Sequence, residues 1–568
     1  MPRFTLLSAE HPFDIAAFVK RLWELRWAIL MNLYLLSPIL VYEFRWTEGG
    51  PDKCAFFLLG ASVLWLFLVQ AIGRRLWVTH AILFPFYLTV GVDLFTIRYY
   101  RTRLSSSMLL VVYDNMSDAP DFLRIHATPV AVIVVATLSA YGFALWKLRK
   151  QRVDVPARLI LACVVTLVAS YGETFRRANN LTRLAAADRG SPFGVIPQAY
   201  VSYRVAKESL ESANLARNFR FNATRPAPPA EPELHVIVIG ESSRPDHWGV
   251  YGYARDTNPL LGKTDNLIVF RDVLSQSALT KEAVPLLLTR GDIRDLKATS
   301  GERSVISLFR EVGFHTMWYS AQLREPSTGN INRNSSEAHD QRFIDRRHDV
   351  VLVSMLQDYL ACPGNKQDRL LAIIHTQGNH FTYTSRYPRE FAKFRDSGPG
   401  LSYHDQLVNS YDNAVGYTDF VLHELITLLR GRPGIKTLFY WGDHGENLQD
   451  DERKLNGHLL NNEYDLPIPA LFWYSPEFAS RVPALVAAAR RHASARINSR
   501  SAFYSLAHLA GIEFNDPNLS RFSVFSDVMD VGPRMVAGPN GPRDFDVWRR
   551  EQRLAGRRAS DLAGFLAE

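Results

Sequence analysis

Cysteine is scarce: Cys54, Cys163 and Cys362 are the only three in 568 residues. Three cysteines so scattered cannot make a disulfide framework, and each is expected to be a free thiol. No segment recurs at a fixed period, which argues against solenoid and propeller architectures. No small-residue cleavage site follows the first apolar stretch, where Arg45-Trp46-Thr47-Glu48 stands instead. That stretch therefore reads as a retained anchor rather than a signal peptide. No nucleic-acid module is recognisable, and the net charge of +8 is accounted for by solvated surface and basic loops beside apolar segments.

What the chain has in plenty is apolar length near its start. Residues 27–44, 54–73, 76–97, 127–146 and 157–172 carry few charges, and each approaches the roughly 17–25 residues that a bilayer crossing needs. Five crossings are expected, with Pro38, Gly60 and Pro85 tolerated inside them. Arg21 and Arg26, Arg74 and Arg75, and the set Lys147, Arg149, Lys150, Arg152 and Arg158 all fall on one side of such a bundle. That side is cytoplasmic by the positive-inside rule, although Arg98, Arg101 and Arg103 oppose it, so the chain after the fifth crossing lies outside the cytoplasm. The loop with Ser106, Asn115, Asp118 and Asp121 would face the same compartment.

Residues 1–172 therefore read as a transmembrane domain and 173–233 as a linker ending in Pro226-Ala-Pro-Pro-Ala-Glu-Pro232. Within it, residues 198–218 fit an amphipathic helix imperfectly, for the bilayer surface or for the soluble domain. Residues 234–535 read as a catalytic domain and 536–568 as a charged tail. From Leu234, apolar runs at 234–239, 266–270, 315–320, 369–375, 435–441 and 468–473 alternate with helical patterns at 302–312, 346–361, 409–430 and 499–511. This alternation predicts an α/β domain with a mainly parallel sheet covered on both faces.

Two of these runs end alike. Val236-Ile-Val-Ile239 leads through Gly240 to Glu241, and Leu438-Phe-Tyr-Trp441 leads through Gly442 to Asp443 and His444. Residues placed just beyond the carboxyl ends of parallel strands converge, and carboxylates with one imidazole suit a catalytic zinc whose coordination sphere is incomplete. Phosphoryl or sulfuryl transfer at such an ion needs a nucleophile beside it. Ser275, Ser277 and Thr280 stand before an apolar helix, whose amino terminus favours an incoming phosphate, although alone they would read as helix caps.

Several blocks together resemble the phosphoethanolamine transferases of the alkaline phosphatase and sulfatase superfamily. They are Glu241-Ser-Ser-Arg244, Tyr251-Gly-Tyr-Ala-Arg-Asp-Thr-Asn-Pro259, Thr280 with Val284-Pro285, His375-Thr-Gln-Gly-Asn-His380 with Tyr383 and Arg386, Trp441-Gly-Asp-His-Gly-Glu446, and His458. The resemblance implies a sulfatase-like soluble domain behind five membrane helices, in a bacterial inner membrane with the catalytic domain in the periplasm. It implies that Glu241, Thr280, Asp443 and His444 hold one catalytic Zn²⁺, a second ion being left open. Thr280 would take phosphoethanolamine from phosphatidylethanolamine, release diacylglycerol, and pass the group on to lipopolysaccharide or a related glycan. His380 and His458 would contact phosphoryl oxygens, act as acid or base, or bind the second metal. The expected partners are thus the donor lipid, the glycan acceptor and the bilayer, without nucleic acid.

Asn379 and Phe381 depart from the Ser and Gly common in that family, and the disulfides of its lipid A-modifying members cannot form here. A sulfatase would carry C-x-P-x-R or S-x-P-x-R around its nucleophile, and neither segment occurs. A glycerol-phosphate transferase of the same plan, a sulfatase-like hydrolase without that segment and an inactive membrane scaffold are the alternatives.

Overall fold

The structure is a computed structural model describing residues 15–42, 53–100, 135, 138–177, 216, 218–322, 329–344, 348–362, 364–365, 367–450, 454, 456–458, 461–530, 532–538, 541–552 and 554. The loop with Ser106, Asn115, Asp118 and Asp121, nearly all of residues 198–218, and Arg557 and Arg558 of the tail lie outside the described residues. Contacts divide the chain into two units, Met1–Glu208 and Ser209–Glu568.

The first unit is helical: α1 (Ile15–Val41), α2 (Lys53–Gly73), α3 (Leu76–Ile82), α4 (Phe84–Tyr100) and α5 (Ala157–Arg177), with a further helical stretch at 138–148. Helix therefore falls within all five apolar stretches. Among the described residues, one segment, Trp23–Val41, is long and apolar enough to cross a membrane, while Leu59–Gly73 and Ala157–Val168 are shorter apolar helices. The stretch at 76–97 is broken at Leu83, because Pro85 has no N–H for the Ala81 carbonyl one turn back. Leu35, Leu36, Leu66, Leu83 and Val90 form an internal cluster, and Gln70 Nε2 donates to Asn32 Oδ1 at 2.6 Å between α2 and α1. Large apolar side chains also face outward, among them Leu30, Leu33, Ile72, Val165 and Val168.

The second unit is built on a seven-stranded sheet of order β2-β10-β7-β1-β6-β4-β5. The strands are β1 (Glu233–Gly240), β2 (Leu267–Phe270), β4 (His315–Ser320), β5 (Asp340–Phe343), β6 (Arg369–His375), β7 (Ile435–Gly442) and β10 (Ala470–Tyr474). Short strands β3 (Asp272–Leu274) and β11 (Arg496–Asn498) pair with each other, as do β8 (Asn447–Leu448) and β9 (Asn456–Gly457). From β7 to β5 every pairing is parallel, and β10 joins β7 and β2 antiparallel.

The reason lies in β1, whose eight residues are all buried. Its alternate side chains enter two cores: Ile237 and Ile239 pack with Val284 and Leu287 of α6 (Thr280–Leu288), Leu308 of α7 (Val305–Glu311) and Phe503 of α10 (Ser501–Leu509). Val236 and Val238 pack with Leu352 and Leu356 of α8 (Val350–Ala361) and Leu422 and Leu425 of α9 (Tyr403–Arg430). Both faces of a period-two strand are thus apolar and covered, as parallel sheets require.

The unit extends past both ends of the 234–535 stretch. Phe221 packs against Phe503 and Phe514, and the amides of Phe221 and Ala223 donate to the Glu311 carboxylate at 2.9 and 3.0 Å. The last part of the expected spacer is therefore docked on this unit. Beyond residue 535, Met535–Val536 pairs with Arg543–Asp544, and Phe545 is buried against Leu274 and Leu466.

Candidate active site

Parallel pairing of β1 with β7 places Gly240 opposite Gly442, so the residues that follow leave the sheet side by side. Asp443 N donates to Gly240 O at 2.8 Å. The Glu241 and Asp443 side chains and the His444 ring are buried, and their ligand atoms lie within 4.8 Å of one another. Thr280, the first residue of α6, comes from a third segment. Its Oγ1 lies 3.2 Å from Glu241 Oε2 and 3.1 Å from His444 Nε2. The four residues expected as metal ligands are therefore together. Thr280 is only half-buried, which puts the hydroxyl at the mouth and the carboxylates behind it.

The surrounding hydrogen bonds set the donor atoms. His444 Nδ1 meets Gly445 O at 2.8 Å, so the proton sits on Nδ1 and the Nε2 lone pair faces Glu241 and Asp443 at 3.4 and 3.5 Å. Asp443 Oδ1 accepts from the Ser242 and His444 amides at 3.1 and 2.6 Å. Asp443 Oδ2 is buried and accepts nothing among the described residues. Burial and then the Glu241 charge push the Asp443 carboxyl well above its usual range. Burial alone would raise Glu241 too, but His444, His380 and His458 outweigh it and hold Glu241 below the ordinary carboxylate range. Two carboxylates crowded in a dry space, with one oxygen unsatisfied and an imidazole lone pair turned toward them, form a donor set that fits a zinc ion.

Four further residues complete the floor. Gln322 Nε2 donates to Glu241 Oε2 at 2.7 Å and to Thr376 O at 3.1 Å. Ser242 Oγ donates to Glu241 Oε1 at 2.7 Å. Gly378, with φ +46°, lies so close that an added Cβ would stand 2.9 Å from both N and O of Glu241. The Asn379 amide donates to Glu241 O at 3.0 Å, and Asn379 Oδ1 accepts from Thr418 at 3.2 Å. Asn379 thus ties this loop to α9.

His380 and His458 stand beside the cluster, 6.4 Å apart by ring centroid, with His458 4.2 Å from His444. His458 Nδ1 bonds Glu446 Oε2 at 2.8 Å, and Tyr383 OH donates to Glu446 Oε1 at 3.0 Å. Burial pushes the Glu446 carboxyl up to about 7; burial and then His444 bring His458 down to about 3. His444, Glu446 and His458 form a second close group of ligand atoms. The other hydroxyls are engaged elsewhere: Ser275 Oγ donates to Ser277 O at 2.8 Å and Ser277 Oγ to Glu282 Oε2 at 2.8 Å. Arg244 is buried and spent on Asp246 and Asp450.

Glu446 and Gln322 received no role from the sequence. Glu446 closes the same Trp441–Glu446 run, and Gln322 lies two residues past β4, where the rule of strand carboxyl ends applies to it as to Glu241. Cys163 and Cys362 are free thiols, and the Cys54 side chain lies outside the described residues.

The sulfatase family pattern matches residues 234–512. The Kdo(2)-lipid A phosphoethanolamine 7''-transferase of Salmonella typhimurium is 31% identical, the match covering 81% of this chain and 88% of that protein. Phosphoethanolamine transferase EptC of Escherichia coli is 25% identical over 94% of this chain and 98% of its own. Among solved structures, the zinc complex of the C-terminal periplasmic domain of Escherichia coli EptC is similar with a TM-score of 0.51 at 26% identity, covering 57% of this chain and 95% of that domain. The integral membrane lipooligosaccharide phosphoethanolamine transferase A (EptA) of Neisseria meningitidis shares the fold over 89% of this chain and 96% of its own, with a TM-score of 0.63 at 19% identity.

Proposed function

Since the chain belongs to the phosphoethanolamine transferase family and is an enzyme of that kind, we propose that it moves phosphoethanolamine from phosphatidylethanolamine to lipid A, the lipopolysaccharide core or a related glycan. The observation that carries the reading is Thr280 Oγ1, half-exposed at the start of α6 and 3.1–3.2 Å from His444 Nε2 and Glu241 Oε2.

Zinc held by Glu241, Asp443, His444 and Thr280 would lower the pKa of the hydroxyl and offset charge on the phosphoryl oxygens. The zinc complex of the related EptC domain supports that choice of metal. Thr280 Oγ1 forms a bond to phosphorus while the bond from phosphorus to the glycerol oxygen breaks. The threonine proton ends on the departing diacylglycerol, with His380 and His458 at the mouth as the groups that carry it. Glu446 holds His458 through Nδ1, leaving Nε2 for that exchange. An acceptor oxygen then attacks the phosphothreonine, the Thr280 oxygen leaves, and the acceptor's proton returns to it. Splitting the transfer lets one site serve two bulky lipids in turn.

The helices that fall within the five apolar stretches, their outward apolar side chains and the fold shared with an integral membrane enzyme support five crossings in a bacterial inner membrane, with the catalytic domain in the periplasm. The test is to supply purified full-length protein with phosphatidylethanolamine or phosphatidylglycerol in mixed micelles. Diacylglycerol should appear from the first lipid. Release from phosphatidylglycerol alone would transfer the assignment to a glycerol-phosphate enzyme.

A further inference from the structure

Apart from the Glu241–His444 cluster, the second unit carries a cavity of about 160 Å³. Pockets for whole drug-sized ligands run to about 300–1,000 Å³, so this one suits a single small group. Its charged and amide lining includes Gln276, Asp292, Arg294, Asn498, Arg500 and Arg521. Three guanidinium groups thus line the cavity with one carboxylate, which two of them already share: Asp292 Oδ2 accepts from Arg294 Nη2 at 2.7 Å and from Arg500 Nη1 at 3.1 Å. Arg521 reaches out to the exposed Asp530, its Nη2 3.4 Å from the carboxylate and its Nε donating to Asp530 O at 3.3 Å.

Two buried donors in this lining have no partner among the described residues, Gln276 Nε2 and Arg500 Nε. Gln276 is 1% exposed, and its other polar atoms are fixed. Its Oε1 accepts from the Ile293 amide at 3.0 Å and its carbonyl from the Ala537 amide at 2.7 Å, which leaves the amide NH₂ as the unmet end beside the cavity. Asn498 offers no spare acceptor, since Oδ1 takes the Arg500 amide at 3.0 Å and Nδ2 gives to Met535 O at 3.1 Å. Unmet N–H groups beside surplus guanidinium charge select an oxygen-rich anion.

We propose that this cavity binds the phosphate or carboxylate substituent of the glycan acceptor and so presents the acceptor hydroxyl to Thr280. The proposal rests on the transferase reading above. Gln276 lies four residues before Thr280 in one loop, which spans at most about 14 Å even when extended. A saccharide whose anionic substituent lies a short way from its reactive hydroxyl bridges that separation.

The experiment uses full-length protein in detergent, with Gln276→Glu and Arg521→Ala made separately. Arg521 has a half-exposed side chain, so its variant carries the test if Gln276→Glu does not fold. Inorganic phosphate, and acetate in parallel, are titrated calorimetrically in an Asp443→Asn background, which weakens anion capture at the metal. Steady-state transfer is measured with zinc-loaded protein. Each variant should weaken phosphate or acetate binding and raise the acceptor KM by about tenfold, while acceptor-free diacylglycerol release is unchanged. Phosphatase treatment of the acceptor separates the sources: a raised KM that the variants no longer change assigns phosphate, and an unaltered variant effect assigns carboxylate. Unchanged anion binding and unchanged acceptor KM in both variants would overturn the proposal. Absence of diacylglycerol release in the parent protein would instead strike the transferase reading, with the anion titration still deciding the cavity.

Discussion

Thr280 is the residue whose role depends most on its neighbours. Alone it is a helix-start threonine; the 3.1 Å approach of His444 Nε2 is what supports the nucleophilic role proposed for it. Thr280→Ala should lower diacylglycerol release by at least about a thousandfold, measured as first-order release from phosphatidylethanolamine, whereas Thr280→Ser should retain part of it. Full release from Thr280→Ala would return the role to Ser275 or Ser277. Glu233, at the opposite end of β1, has a structural part. Burial alone would raise its pKa, but the Arg225 fork at 2.5 and 2.6 Å and His235 outweigh burial and bring it down to about 2. A carboxyl held below its ordinary value stabilises the fold above about pH 4.5, and that contribution fades as the pH falls toward 2. Glu233→Gln should therefore be less stable than the parent by about 3 kcal/mol at neutral pH, with the gap closing in denaturation curves taken at progressively lower pH. A gap independent of pH would contradict the ion-pair account.

At the scale of elements, the sequence was most readable where pattern and burial coincide. The runs at 315–320 and 369–375 became β4 and β6 with the same limits, because strands buried on both faces carry consecutive apolar residues, Met317-Trp-Tyr319 and Leu370-Leu-Ala-Ile-Ile374. β5 went unread: Asp340-Gln-Arg-Phe343 is polar and only partly buried, as an edge strand tends to be. β3 is three residues long and took its pairing from β11 far along the chain. The clustering of Glu241, Asp443 and His444, the proposed metal ligands, could be anticipated because two strands end in similar Gly-acid runs, while the contact of Gln322 with Glu241 depends on how β4, β6 and β1 lie side by side. Gly378 is the joint between elements. Its φ of +46° and the 2.9 Å clearance to the Glu241 backbone leave no room for a side chain. Gly378→Ala should cost about 1–3 kcal/mol and lower zinc content as read by metal analysis, whereas unchanged stability and zinc content would show that Glu241 does not depend on this loop.

For the whole molecule, zinc binding to an assembled site should stabilise the folded unit by mass action. Chelation should lower the melting temperature and stop turnover, and added zinc should restore both; magnesium, which prefers six oxygen ligands, should not. A melting temperature unaffected by chelation, with zinc removal verified, would mean that the buried carboxylates are not a metal centre. The division into a helical unit and an α/β unit was readable from where apolar length is concentrated, but the ends of the second unit were not. Phe221 and Phe545 stand among charged and polar residues without a clear period, and only their packing in the folded unit reveals them as core.

The central claim is a covalent phosphothreonine. It is tested most directly by mixing zinc-loaded full-length protein with phosphatidylethanolamine in the absence of acceptor, quenching, and mapping modified peptides by mass spectrometry. A phosphoethanolamine increment on Thr280, discharged when acceptor is added before the quench, is the predicted result. Transfer that proceeds with no modified peptide at any time, or with the increment on another residue, would contradict the account.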